Sequence, residues 1–282
     1  MLIAQITDVH IGFEPGNHEE FNRKRLDATI DALLALKRRP DMMLATGDLT
    51  DLGTTQSYDW LLEGLSRCPW PIYPIPGNHD VRAPFLEAFP NTPTNDGFIQ
   101  YEIEAGSLRI IMLDTLEEGR HGGAFCERRA AWLDAKLSEQ PDRPTMLVSH
   151  HPPTEVGIAW MSAASREPWV LRFAEVVQKH SQVVRLIAGH IHRPIFTSWA
   201  GTTLSVTPST APQVALDLRP INATPDGRDM IIAEPPAYAL HEWTDNMLLS
   251  HLGYANAGPV LARYTDAMQP LVEHLLAERV TV

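Results

Sequence analysis

Cysteine is scarce in this chain of 282 residues. Cys68 and Cys126 are the only two; they lie far apart and match no zinc or redox spacing, so they read as ordinary half-buried thiols and no disulfide framework is expected. Positive charge is also short. Lys and Arg number 23 against 35 Asp and Glu, which leaves a net charge of −12. Such a surface repels polyanions unless bound metal reverses the sign locally, and no basic run is present to track a phosphate backbone, so long nucleic acid is not an expected partner. Nor is there an apolar stretch long enough to cross a bilayer. The opening run Met1 to Ile6 lacks a basic leader and is interrupted by Thr7-Asp8, so neither a signal segment nor a membrane partner is expected and a cytoplasmic protein is the default.

What remains is the composition of an ordinary globular protein, 44% hydrophobic and 21% charged, long enough for one large core. Leu2 to Thr7 reads as a buried strand. Phe21 to Arg38 is helical, with Leu26, Ile30, Leu33 and Leu34 on one face, and Pro40 ends it. Met42–Thr46 is a strand, Thr54–Arg67 a helix and Pro71–Ile75 a third strand. Beyond residue 97 the pattern changes: Phe98–Glu104 and Leu108–Thr115 flank Ala105-Gly106-Ser107 as a hairpin that starts a second sheet. Helices over Glu127–Gln140 and Trp169–His180 alternate with strands over Thr145–Ser149 and Val183–Ala188.

Ile195–Trp199 and Thr202–Thr207 form a further hairpin, whose sheet Val214–Leu218 and Tyr238–Trp243 are expected to extend. Residues 219–237 read as a long loop, and Pro259–Val280 as a closing amphipathic helix. The architecture that accommodates this order is an α/β/β/α sandwich, two packed mixed sheets flanked by helices in four layers. Residues 1–218 would form the main domain. Residues 219–282 would be a cap or oligomerisation extension of it, making the protein a homo-oligomer, dimer or larger.

Polar groups gather where apolar runs stop. Asp8-Val9-His10, Gly47-Asp48, Gly77-Asn78-His79-Asp80, His150-His151-Pro152 and Gly189-His190-Ile191-His192 each follow a strand, and right-handed crossovers bring such ends to one rim of the sheets. The pairs Asp8/His10 and His190/His192 are two residues apart, so in an extended segment both donors of each pair would face the same way. Singly, these motifs are weak, since Asp-x-His is common and asparagine and glycine also make turns.

In order, the five motifs resemble the calcineurin-like metallophosphoesterases, over roughly the first 200 residues. The resemblance implies the same four-layer sandwich and two close cations bridged by Asp48. Asp8, His10 and His192 would complete one site, and Asn78, His150 and His190 the other. Mixed oxygen and nitrogen donors suit manganese, iron, zinc or cobalt, divalent or mixed-valence, and a metal-bridging hydroxide would attack a phosphodiester in line. His79 would stabilise phosphoryl charge and protonate the leaving group, Asp80 would orient His79, and Asn78, His79 and His151 would contact substrate.

Within the superfamily the chain most resembles the branch of bacterial cyclic-nucleotide phosphodiesterases and glycerophosphodiesterases, so a small phosphodiester is the expected substrate. A broad phosphomonoesterase or phosphotriesterase and a metal-dependent nuclease are the alternatives; the complete ligand set argues against a non-catalytic scaffold. His121, His180, His241, His251 and His274 fall outside the motifs and read as surface or packing residues.

Overall fold

A computed structural model describes residues 1–221, 224–256 and 258–279. Its first half alternates strand and helix: β1 (Leu2–Ile6), α1 (Phe21–Leu34), β2 (Met42–Thr46), α2 (Thr55–Leu65), β3 (Ile72–Ile75) and α3 (Arg82–Ala88). β1, β2 and β3 pair in parallel. The helices fill the crossovers with Leu26, Ile30 and Leu33 of α1, Tyr58, Leu61 and Leu65 of α2 and Phe85 of α3, all buried against this sheet. Thr54 caps α2 by accepting from the Ser57 amide at 3.2 Å, satisfying one of the amides that a helix start leaves unpaired.

The second sheet follows: β4 (Tyr101–Ala105), β5 (Leu108–Met112), α4 (Glu127–Glu139), β6 (Thr145–Val148), α5 (Pro168–Val177), β7 (Val183–Ala188), β8 (Ile195–Trp199) and β9 (Thr202–Val206). Its order is β4-β5-β6-β7-β9-β8, parallel through the middle with antiparallel edges. The pleat divides its side chains between two cores. Ile110 and Met112 of β5, Met146 and Val148 of β6 and Ile187 of β7 join the core shared with the first sheet. Their neighbours Ile111, Leu147, Leu186 and Ala188 pack with α4 and α5. Helices, sheet, sheet and helices thus stack as the four expected layers.

The remaining elements are β10 (Gln213–Val214), β11 (Ile231–Ile232), β12 (Ala237–Thr244), β13 (Met247–Tyr254), a 3₁₀ turn (Asp266–Met268) and α6 (Gln269–Ala277). Several depart from the sequence reading. Residues 238–243 do form a strand, but β12 pairs antiparallel with β1 in the first sheet rather than extending the β8–β9 hairpin. Of Val214–Leu218 only Val214 is strand, in a separate ribbon with β11.

The outer strand β13 was not anticipated. Its turn uses Asp245 and Asn246, both left-handed with φ of 47° and 60°, a role these two residue types tolerate better than most. α3 was also missed. The closing helix is shorter than expected, with Pro270 in its first turn, and no side chain of it is buried. Val280, the expected end of that helix, lies outside the described residues.

Candidate metal centre

The ladder between β1 and β2 continues into their loops. The amides of Asp8, Val9 and His10 donate to the carbonyls of Gly47, Asp48 and again Asp48 at 3.0, 2.8 and 3.0 Å, so the first two motifs lie side by side. From the second sheet, the Gly189 amide donates to the His150 carbonyl at 3.0 Å, and the His190 amide reaches across to the Asp8 carboxylate at 2.9 Å. The His79 amide donates to Asp48 Oδ1 at 2.8 Å, leaving Oδ2 free for other partners.

Close approach explains the motif glycines. A Cβ on Gly77 would lie 2.2 Å from Asp48 Oδ1 and 2.7 Å from His150 Nε2. Gly47 has φ of +91°, and a Cβ there would enter the His150 ring at 2.3 Å. No side chain fits at either position without displacing a candidate ligand.

Five of the motif residues are not in extended backbone. Asp8, His10, His190 and His192 have φ of 52°, 50°, 70° and 58°, and Asp48 has 49°, so the left-handed backbone rather than strand alternation aims the donors. Such conformations cost on the order of 1–3 kcal/mol each and persist where surrounding structure enforces them, often at functional sites.

The donors gather into overlapping groups: Asp8 with His10 and His192, Asp8 with Asp48 and His150, His10 with Asp48 and His79, and His150 with His151 and His190. Asp48 Oδ2 lies 3.6 Å from His10 Nε2 and 3.3 Å from His150 Nε2, and Asp8 Oδ1 lies 3.3 Å from His192 Nε2. Three imidazoles are fixed from behind. Nδ1 of His10 donates to the Asp51 carboxylate at 3.0 Å, that of His150 to the Thr46 carbonyl at 2.8 Å, and that of His192 to the Pro212 carbonyl at 2.7 Å. Each Nε2 is thereby left as a lone pair directed inward, as metal-binding histidines are held.

These residues fit bound cations on two grounds. Nε2 of His10 and His192 face each other at 3.2 Å with both opposite nitrogens already donating, so positive charge must lie between them. His150 Nε2 and His190 Nδ1 are buried with no hydrogen-bond partner among the described residues, a cost of about 1–3 kcal/mol per group unless something binds there.

The electrostatics agree. Burial opposes charge on His150, yet Asp48 and then Asp8 outweigh it and raise its pKa to about 9; the potential that favours a proton there also favours a metal ion. Burial and then neighbouring imidazoles hold His151 and His190 well below the usual histidine range, keeping both neutral and leaving His190 able to donate a lone pair.

Asn78, His79, Asp80 and His151 surround this cluster with distinct duties. His151 is buried; its Nε2 donates to Asn78 Oδ1 at 3.1 Å and its Nδ1 accepts from the Thr115 hydroxyl at 2.8 Å, so it orients Asn78. Asp80 does not orient His79. Its carboxylate accepts from the amides of Leu49, Thr50 and Gly77 and the hydroxyls of Thr50 and Tyr58, tying two ligand loops together. His79 is instead held by Asp51, whose backbone carbonyl accepts from Nδ1 at 2.9 Å.

Asp51 thus supports both His10 and His79 and was missed by the sequence reading, although it stands three residues beyond Asp48 in the same loop. His121 was also passed over. It lies 3.3 Å from the Asn78 amide nitrogen and its ring packs 4.8 Å from that of His190; the flanking Gly122-Gly123 was its only local signal.

Residues 1–194 match the calcineurin-like phosphoesterase profile. The probable glycerophosphodiester phosphodiesterase GpdQ of Arcobacter nitrofigilis is 34% identical over 260 residues, covering 90% of this chain and 93% of that protein. A probable cyclic nucleotide phosphodiesterase of Rhodopseudomonas palustris is 33% identical and covers 93% and 96% of the two chains. The 3',5'-cyclic adenosine monophosphate phosphodiesterase CpdA of Escherichia coli is 31% identical over 75% of this chain and 76% of that one. Among solved structures, a dimetal phosphatase from Danio rerio superposes with a TM-score of 0.66 at 18% identity, covering 89% of this chain and 95% of its own, a likeness of fold.

Proposed function

The chain belongs to the calcineurin-like phosphoesterase family, and from that membership we propose that it hydrolyses small phosphodiesters, 3',5'-cyclic nucleotides or glycerophosphodiesters, in the cytoplasm. Asp48 would bridge two transition-metal ions, with Asp8, His10 and His192 on one and Asn78, His150 and His190 on the other. Bound there, the cations would neutralise phosphoryl charge and supply a water acidified toward neutrality.

The chain's own residues do the rest. Asp51 fixes the His10 ring, Thr46 that of His150 and Pro212 that of His192, so the donors are in place before substrate arrives. His151 holds the Asn78 carboxamide. His79, pinned through Nδ1, lines the cavity beside the cluster and would deliver a proton from Nε2 to the departing alkoxide.

The observation that carries this reading is the sharing of Asp48 by the donor groups, with His79 at their edge. The test is turnover of bis(p-nitrophenyl) phosphate after loading with manganese, cobalt or zinc, followed by a panel of cyclic nucleotides and glycerophosphodiesters. Activity that is absent from the chelated protein and restored by metal is expected. No turnover of any diester with any of these metals would end the proposal.

A further inference from the structure

A cavity of about 540 Å³ opens directly on the candidate centre, where His10, His79 and His192 form part of its wall. That volume lies within the range of pockets that take small organic ligands. Much of the remaining wall is apolar: Phe13, Phe21, Trp160, Met161, Val214 and Ile231. Phe13, Phe21 and Ile231 are 64%, 47% and 55% exposed, an arrangement that costs hydration free energy unless something covers it. They converge from three separate segments on this one cavity.

Among the described residues no lysine or arginine lines the cavity; its carboxylates are Glu14 and Asp51, and His121, which lies against Asn78, is its remaining imidazole. Asp51 is occupied with His10 and His79, and Glu14 accepts from the Asn17 side chain at 2.7 Å. The polar side chain of Asn22 is spent on the His10 carbonyl at 2.9 Å. Against Phe13, Phe21 and Ile231 a glyceryl hydroxyl would exchange water for carbon, and a second anionic group would meet no lysine or arginine.

We infer that this cavity is the subsite for a bulky, uncharged, apolar ester group, an aromatic ring or branched alkyl chain carried by the phosphodiester. The inference rests on the phosphodiesterase reading and departs from its glycerophosphodiester option: Phe13, Phe21 and Ile231 set specificity, and the glyceryl ester is the poorer substrate. The occupant follows from continuity with the centre, since a phosphoryl group against His10, His79 and His192 places one of its ester substituents on the apolar walls.

The test compares benzyl methyl phosphate with glyceryl methyl phosphate, which share a small ester and differ in the other, using the metal-loaded enzyme. Burial of one ring predicts kcat/KM on the order of ten- to a hundredfold higher for the benzyl ester. In Phe13→Ser/Phe21→Ser the ratio should fall toward one, mostly through KM, and Phe13→Leu/Phe21→Leu should restore part of it. Calorimetry should show diphenyl phosphate binding more tightly than dimethyl phosphate, with the difference lost in the serine variant. Equal turnover of the two esters, or a glyceryl preference, would overturn the subsite while leaving the hydrolase reading intact. Binding of diphenyl phosphate that depends on Phe13 and Phe21, with no diester hydrolysed, would do the reverse.

Discussion

His150 directs Nε2 at Asp48 Oδ2 from 3.3 Å, and the same oxygen lies 3.6 Å from His10 Nε2. One carboxylate therefore faces imidazoles delivered by two different sheets. Asn78 has no such position: its side chain meets His151 and His121 on one side of the cluster.

Removing the shared carboxylate should therefore release more metal than removing the carboxamide. Asp48→Ala is expected to lose both ions, because their mutual repulsion is no longer compensated, while Asn78→Ala keeps close to one equivalent. Elemental analysis after gel filtration measures this directly. Equal metal content in the two variants would refute Asp48 as the bridge.

Asp80 makes a separate prediction, because every group facing its carboxylate is a donor. Asp80→Asn places an amide NH₂ against that ring of donors and should destabilise the fold by roughly 2–4 kcal/mol, whereas Tyr58→Phe, which removes one donor, should cost about 1 kcal/mol. Urea unfolding reads both. Burial and then the Asp48 charge push the Asp80 pKa upward, so an Asn variant as stable as the parent would mean that position 80 is a neutral acid and that the ring of donors has been misassigned.

The pH dependence of stability should be visible at His241, which lies away from the donor cluster. It bridges Ser250 Oγ at 2.8 Å and Gln5 Oε1 at 3.0 Å, and burial, then Arg185, lowers its pKa from 6.5 to about 3. Above 6.5 neither the folded nor the unfolded chain is protonated there. As pH falls through 6.5 only the unfolded chain gains the proton, so stability declines by up to ~1.4 kcal/mol per pH unit until the folded group titrates. His241→Gln should be less stable at pH 7 but lose less between pH 7 and 4. Parallel stability curves for the two proteins would rule the contribution out.

The positions of the motifs were legible because buried strands read as unbroken apolar runs, so the point where each run stops marks the rim. The aim of the side chains was not. Asp8 and His10 look like an alternating pair in sequence, yet both are left-handed, with their amides bonded to the loop after β2, a partner that lies some forty residues further along the chain. The same limit explains Asp51 and Asp80: adjacency in sequence suggested that Asp80 serves His79, while the folded loops give that task to Asp51 and turn Asp80 toward the amides. β13 escaped because Leu248 is the only residue in it that is buried, leaving no two-residue period to read.

The segment after β13 bears on assembly. Leu271, Leu275 and Leu276 of α6 and Val260, Leu261 and Tyr264 before it are all exposed, and exposed apolar side chains in such number are a feature of interaction surfaces. Light scattering of the intact protein should give the mass of a dimer or larger, and deletion from residue 258 onward should lower it. A monomeric mass for the intact protein would refute the interface.

His79 gives the sharpest prediction. Its Nδ1 is committed to the Asp51 carbonyl and its ring lines the cavity, so Nε2 is the nitrogen available to a leaving group. His79→Asn should keep both metal equivalents while kcat falls by roughly 10²–10⁴ on diesters with alkoxide leaving groups, the usual size of a lost general acid. For p-nitrophenyl esters, whose leaving group departs without a proton, the fall should be much smaller. Asp51→Ala is the companion variant. It removes the carboxylate that holds His10 but leaves the backbone carbonyl that holds His79, so metal affinity should drop while the contrast between the two leaving groups stays that of the parent enzyme. Equal losses for alkoxide and p-nitrophenolate in His79→Asn would make His79 an electrostatic or positioning residue instead of an acid, and collapse of metal content in that variant would place it among the ligands.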